Sequence, residues 1–174
     1  MTPAVDAWDR LADLIEYPDE PWYANRVDAC IDATAAFGVA APLERFRQSI
    51  AGGDLASWQE RYTEVFDFDP ACTLNVGWHL LGDAPERGAF LAALREDLAR
   101  AGVFERDELP DHLPTLLRLI AREEDAEAAE LAAYITPAVT RVRERLTACG
   151  SPFGDVLDAV ARMLAILQPQ EAQP

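Results

Sequence analysis

Lysine is absent from this chain. All fifteen basic residues among its 174 are arginine, which we read as the imprint of a GC-rich genome, where AAA and AAG codons are disfavoured. Positive charge of any kind is scarce: thirty-one Asp and Glu stand against those fifteen, giving a formal net charge of −16. Phosphate recognition needs basic clusters, so nucleic acid is excluded as a partner. Anionic membrane surfaces are excluded on the same ground. Cysteine is rare and scattered, at Cys30, Cys72 and Cys149, with no CxxC and no His/Cys cluster. That rules out a disulfide framework or a zinc site and predicts three reduced, mostly buried thiols in a cytoplasmic protein. No apolar run approaches the roughly 20 residues of a membrane helix. Met1 to Asp6 has neither a basic nor an apolar leader region, so no signal peptide is expected.

The motifs of common enzymes are missing too. There is no GxGxxG, Walker loop, GxSxG or HExxH. The two histidines, His79 and His112, lack partners at i+3 or i+4. His112 adjoins Asp111, but no serine or cysteine nucleophile is marked nearby. Glu60, Glu64, Asp67 and Asp69 cluster in sequence without the paired Glu-x-x-His motifs of a di-metal bundle. These absences predict a protein with no catalytic activity and no metal or organic cofactor of its own.

What is present is helix. Half the residues are apolar and 26% are charged, as in a globular protein, and the length suits one domain, residues 1–174, with a polar, frayed tail from about 169. Thr2-Pro3 opens a first helix, closed by Pro18-Asp19-Glu20-Pro21. A second runs from Trp22 to Phe37 and stops at Gly38. A third runs from Pro42 to Gly52. Asp54 caps a fourth, whose inner face is Leu55, Trp58, Tyr62, Val65 and Phe66. Leu74–Leu81 reads as a short helix. Asp83-Ala84-Pro85-Glu86 reads as a capping box for a helix carrying Phe90, Leu91, Leu94 and Leu98. Asp111 is the expected N-cap of a helix bearing Leu113, Leu116, Leu117 and Ile120. Ala121–Glu130 reads as a solvated helix or connector, Thr136-Pro137 as the start of the next helix, and Ser151-Pro152 as the start of the last. The fold class is therefore all-α, with eight or nine helices around one core.

Two stretches are more specific than packing requires: Gln59-Glu60-Arg61-Tyr62-Thr63-Glu64-Val65-Phe66-Asp67-Phe68 and Glu108-Leu109-Pro110-Asp111-His112-Leu113-Pro114. With Leu14-Ile15-Glu16-Tyr17-Pro18, Gly82-Asp83 and Arg87-Gly88, taken in order over residues 8 to 122, they resemble the NarJ family. These are the assembly chaperones, or delta subunits, of respiratory nitrate reductase, within the wider group of TorD- and DmsD-type redox-enzyme maturation chaperones. The resemblance implies an all-helical, non-enzymatic, cytoplasmic protein. It implies a partner: the apo catalytic subunit of a molybdenum oxidoreductase that carries bis-molybdopterin guanine dinucleotide. Such chaperones hold the N-terminal segment of that subunit, often a twin-arginine leader or its remnant, until cofactor is loaded. Between Phe66 and Gly82 the chain departs from the family, with Ala71-Cys72-Thr73-Leu74-Asn75-Val76-Gly77-Trp78-His79 where Thr-Ser-Leu-Tyr-Leu-Thr is usual. Selenate, chlorate, dimethyl sulfide and ethylbenzene oxidoreductases therefore stand beside nitrate reductase as clients.

A leader peptide is basic near its start and apolar after it, so its site needs an apolar groove rimmed by carboxylates. Tyr62, Phe66, Phe68 and Leu113 are the apolar candidates. Glu64, Asp67, Asp69 and Asp111 are the candidates to meet arginines, and His112 is expected to be neutral and hydrogen-bonding at the start of its helix. Tyr62 and Phe66, at i and i+4, also suit a plain helical core. A permanent adaptor subunit of a helical complex is the competing function.

Overall fold

The computed structural model describes residues 3–19, 23–105 and 107–168. Nine α-helices follow one another among them: α1 (Pro3–Ile15), α2 (Tyr23–Thr34), α3 (Ala40–Ile50), α4 (Leu55–Tyr62), α5 (Val76–Leu81), α6 (Glu86–Ala101), α7 (Leu113–Ile120), α8 (Asp125–Ala148) and α9 (Phe153–Leu167). A 3₁₀ turn (Ala35–Phe37) extends α2, and a π-helical turn (Thr63–Asp67) extends α4. No strand is present among the described residues beyond an isolated antiparallel bridge between Asn75 and His112. The fold class is all-α, as the periodicity requires. The readings placed on Thr2, Glu20, Pro21, Trp22 and the tail from 169 fall outside the described residues.

Helix punctuation follows local chemistry in several places. Gly38, at φ +70°, takes the left-handed conformation that ends the 3₁₀ turn after α2. The Asp54 side chain accepts from the Ser57 N–H at 2.9 Å and caps α4. Three expected starts are corrected. Asp83 does not cap α6: Ala84 and Arg87 close a turn instead, by donating to Leu81 and Ala84 carbonyls, and the helix opens at Glu86 behind Pro85. Asp111 does not cap α7, because its carboxylate is engaged elsewhere and His112 holds the N-cap position. Pro137 does not open a helix but lies inside α8. A proline there costs about 3 kcal/mol. Burial of Ala132, Ile135, Ala138, Val139 and Val142 on both sides of it keeps the helix continuous, while Pro137 itself faces outward.

The buried apolar residues form one cluster. α8 and α9 make the most extensive pairing, α1 packs on α2 and α7, and α3 packs on α2 and α9. Phe153, the first residue of α9, is the aromatic hub. Its ring centroid lies 5.4 Å from Phe46, 5.8 Å from Tyr62 and 5.1 Å from Phe66. That fixes α4 and its π turn against the bundle. Of the three thiols, Cys30 and Cys72 are buried as expected, whereas Cys149 is exposed at the end of α8.

Candidate functional site

The π turn decides where Phe66 and Asp67 go. The Phe68 N–H donates to the Thr63 carbonyl at 3.2 Å, an i→i+5 bond that widens the helix by one residue, a device concentrated at functional positions. Phe66 stays in the core, with its ring 4.8 Å from Tyr62, while Asp67 emerges exposed beside it. Opposite, the chain after α1 is tied to α4 by Gln59, whose amide donates to the Pro18 carbonyl at 2.7 Å. This brings Tyr17 edge-on to Tyr62, 5.4 Å between centroids.

The third wall is built by a short two-segment ladder. Val76 donates to the Asp111 carbonyl and Leu113 to the Leu74 carbonyl, both at 2.9 Å, on either side of the Asn75–His112 bridge. Asp111 locks the ladder from behind. It is fully buried, its Oδ2 accepts from the Gly77 N–H at 3.0 Å, and Arg87 pairs with the same oxygen at 3.3 Å. Gly77 is needed there: a Cβ would stand 2.6 Å from that oxygen. Arg87 also lies 5.8 Å over the Trp78 ring.

Together these walls enclose a cleft of about 560 Å³. Tyr17, Tyr62 and Phe66 are its aromatic surface, Leu74 and Asn75 one side, and His112 and Thr115 the other. Five carboxylates reach it, from Glu16, Asp19, Asp67, Asp107 and Glu108, and no arginine is among the lining residues described. Glu16 pairs with Arg118 at 2.8 Å and Asp19 with Arg26 at 2.6 Å. Asp67, Asp107 and Glu108 have no ion pair among the described residues. Among the described residues no three His, Cys, Asp or Glu side chains are grouped so as to hold a metal ion.

Of the residues expected from sequence, the fold gathers Tyr62, Phe66, Asp67 and His112 in this cleft and disperses the others. Phe68 is 77% exposed and outside the lining. Glu64 is exposed and also outside it. Asp69 accepts from the Ala71 N–H and pairs with Arg145 at 3.1 Å, so it braces α8. Leu113 is core, at 2% exposed. Asp111, buried and paired, cannot present its charge to a ligand. Glu16, Tyr17, Asp19, Asp107 and Glu108 were not anticipated as lining. Glu16, Tyr17 and Glu108 do belong to the motif segments, but only the fold shows that these segments face one another.

His112 is held neutral, as expected. Burial, and then the charge of Arg118, lower its pKa from an ordinary 6.5 to about 4. The unfolded chain takes up this proton at higher pH than the fold does. Stability is therefore lost as pH falls from about 6.5 toward 4, by up to about 3 kcal/mol. His112→Gln is expected to remove that share: the wild-type-minus-variant difference in unfolding free energy should slope across this window and be flat above pH 7. A flat difference throughout would mean the ring is freely solvated. His79, the other histidine, is satisfied by the Thr73 carbonyl at 2.7 Å, in keeping with a structural role.

The family model described as nitrate reductase delta subunit matches residues 32–158. Among individual proteins, the chain is 27% identical to one of Bacillus subtilis described as a probable nitrate reductase molybdenum cofactor assembly chaperone, NarJ, over 93% of this chain and 90% of that one. It is 26% identical to NarJ of Escherichia coli K12, a nitrate reductase molybdenum cofactor assembly chaperone, over 86% of this chain and 66% of that one. The E. coli NarW protein, a probable chaperone of the same description, is 27% identical over 86% and 64%. The likeness thus runs on through α8 into α9, beyond the stretch to residue 122 where motifs are visible by eye. On the extent of the family match, the chain belongs to the nitrate reductase delta subunit family.

Proposed function

We propose that this chain is a non-catalytic, cytoplasmic assembly chaperone whose acidic cleft seats the N-terminal segment of the apo catalytic subunit of a nitrate-reductase-type molybdenum oxidoreductase. It holds that subunit until the molybdenum cofactor is inserted and the complex assembles. One observation carries the site: an aromatic-walled cleft lined by five carboxylates, with no arginine among the described lining residues. A segment with apolar side chains for the walls and arginines for the rim is the matching ligand. The relatives' description as assembly chaperones supports the role. No helix among the described residues is long and apolar enough to cross a membrane, which fits a protein that meets its client before membrane docking.

The test is co-purification with the catalytic subunit at two stages. The apo subunit, made without molybdenum, should carry the chain in stoichiometric amount. Deleting the subunit's N-terminal segment should abolish the complex, and mass spectrometry of the mature oxidoreductase should find no copy of the chain. A chain retained in the mature enzyme would identify an adaptor subunit. Undiminished binding to the truncated subunit would move the site off the cleft.

A further inference from the structure

Tyr62 is 6% exposed, yet its hydroxyl has no hydrogen-bond partner among the described residues. The ring is fixed on three sides, by Tyr17, Phe66 and Phe153. Burial is the main reason the phenol keeps its proton, and the nearby charges of Asp67, Glu108 and Glu16 reinforce it. So a neutral hydroxyl with no partner among the described residues sits in a cleft that Asp67, Glu108 and Glu16 also line, the first two with no ion pair among the described residues. A hydroxyl with no partner inside the protein is free to bond to an incoming group, and the carboxylates that line the cleft with it favour a cation. A metal ion is a poor candidate, since among the described residues no three His, Cys, Asp or Glu side chains are grouped so as to hold one. A compact ammonium could satisfy the charge but not the shape: an aromatic wall in a cleft that several carboxylates also line suits a flat cation with donors along its edge.

We propose that this floor is a guanidinium subsite, in which the Tyr62 hydroxyl accepts one N–H of a client arginine, Asp67 and Glu108 accept others, and the half-exposed Tyr17 ring covers the planar group. The proposal rests on the reading of the cleft as the client site and adds a residue-level specificity to it: one arginine of the client is read as arginine and not simply as positive charge. Tyr17 is 44% exposed and forms part of the lining, so it can be reached by an incoming segment.

The experiment uses the full chain and a synthetic peptide of the client's N-terminal segment, with each arginine replaced in turn by lysine or by uncharged citrulline. Binding is measured by titration calorimetry to wild type and to Tyr62→Phe. At one arginine position, lysine and citrulline should each weaken binding to wild type by about tenfold, the scale of a charged hydrogen bond. In Tyr62→Phe the arginine peptide should weaken while the lysine peptide changes little, so their ratio falls to within about twofold. The variant's Tm should match wild type, because the hydroxyl has no partner to lose. An arginine-to-lysine ratio that is the same in wild type and Tyr62→Phe would overturn the subsite and leave the cleft reading intact. Failure of every peptide to bind wild type would overturn both.

Discussion

Arg87→Leu is expected to lower the unfolding free energy by about 3 kcal/mol, the lower end for orphaning one partner of a buried ion pair. The lower end applies because the Arg87 side chain keeps 20% of its surface in solvent, whereas Asp111 keeps none. Without the guanidinium, a carboxylate remains inside the protein with only the Gly77 N–H to satisfy it. For a chain of this size the loss corresponds to roughly 6–12 °C in Tm. The companion variant isolates the cause. Adding Asp111→Asn removes the stranded charge and keeps an acceptor for Gly77, so Arg87→Leu/Asp111→Asn should recover most of the loss. Chemical denaturation of the two variants and wild type checks this. A single variant within about 0.5 kcal/mol of wild type would mean that the pair does not hold the ladder behind the cleft.

The second large effect is kinetic. Carboxylates in a concave wall focus field, and complementary charge raises association rates by about 10- to 1000-fold. Over a net charge of −16, most of that field is long-ranged at low salt and short-ranged once the screening length drops to roughly 3 Å near 1 M. Association of a basic N-terminal client peptide should therefore slow at least about tenfold between low and molar salt, while dissociation, governed by the aromatic walls, changes by less than about threefold. Stopped-flow fluorescence from Trp or a labelled peptide reads both. Asp107→Asn with Glu108→Gln should reduce the salt slope without loosening the fold, since neither side chain has an ion pair among the described residues. An association rate insensitive to salt would leave the carboxylates a role only after docking.

The helices were legible because apolar spacing and end signals are local properties. Gly38, Asp54 and Gly102 stop or start helices through groups within three or four residues, and the sequence displays all of those. Asp111 misleads for the opposite reason. It stands where a cap belongs, but its partners are Gly77 and Arg87, 34 and 24 positions away, and no local rule reveals them. Pro137 misleads because a Thr-Pro pair signals a helix start only when the preceding turn is free to unwind. Here Ala132 and Ile135 are buried, and the Thr136 hydroxyl turns back to the Ala132 carbonyl at 2.7 Å. The candidate site was half legible. Tyr62, Phe66, Asp67 and His112 could be chosen because aromatics, acid and histidine occur together in motif segments. Glu16, Tyr17 and Glu108 lie in such segments as well, but their role depends on a cleft that exists only once the ends of α1 and α4 and the loop before α7 meet.

The exposed thiol of Cys149 gives the molecule a built-in attachment point. Cys30 and Cys72 are buried, and burial pushes their thiols up to about 12 and about 11, so at neutral pH they are protonated and shielded. A maleimide dye therefore labels one position of the native chain without mutagenesis. That position follows the helical turn holding Arg145, whose guanidinium grips Asp69 on the segment running from the π turn to the cleft wall. A fluorophore there reports on that segment while leaving every lining residue chemically untouched. In the absence of reductant, the same thiol is where two copies of the chain would become covalently joined.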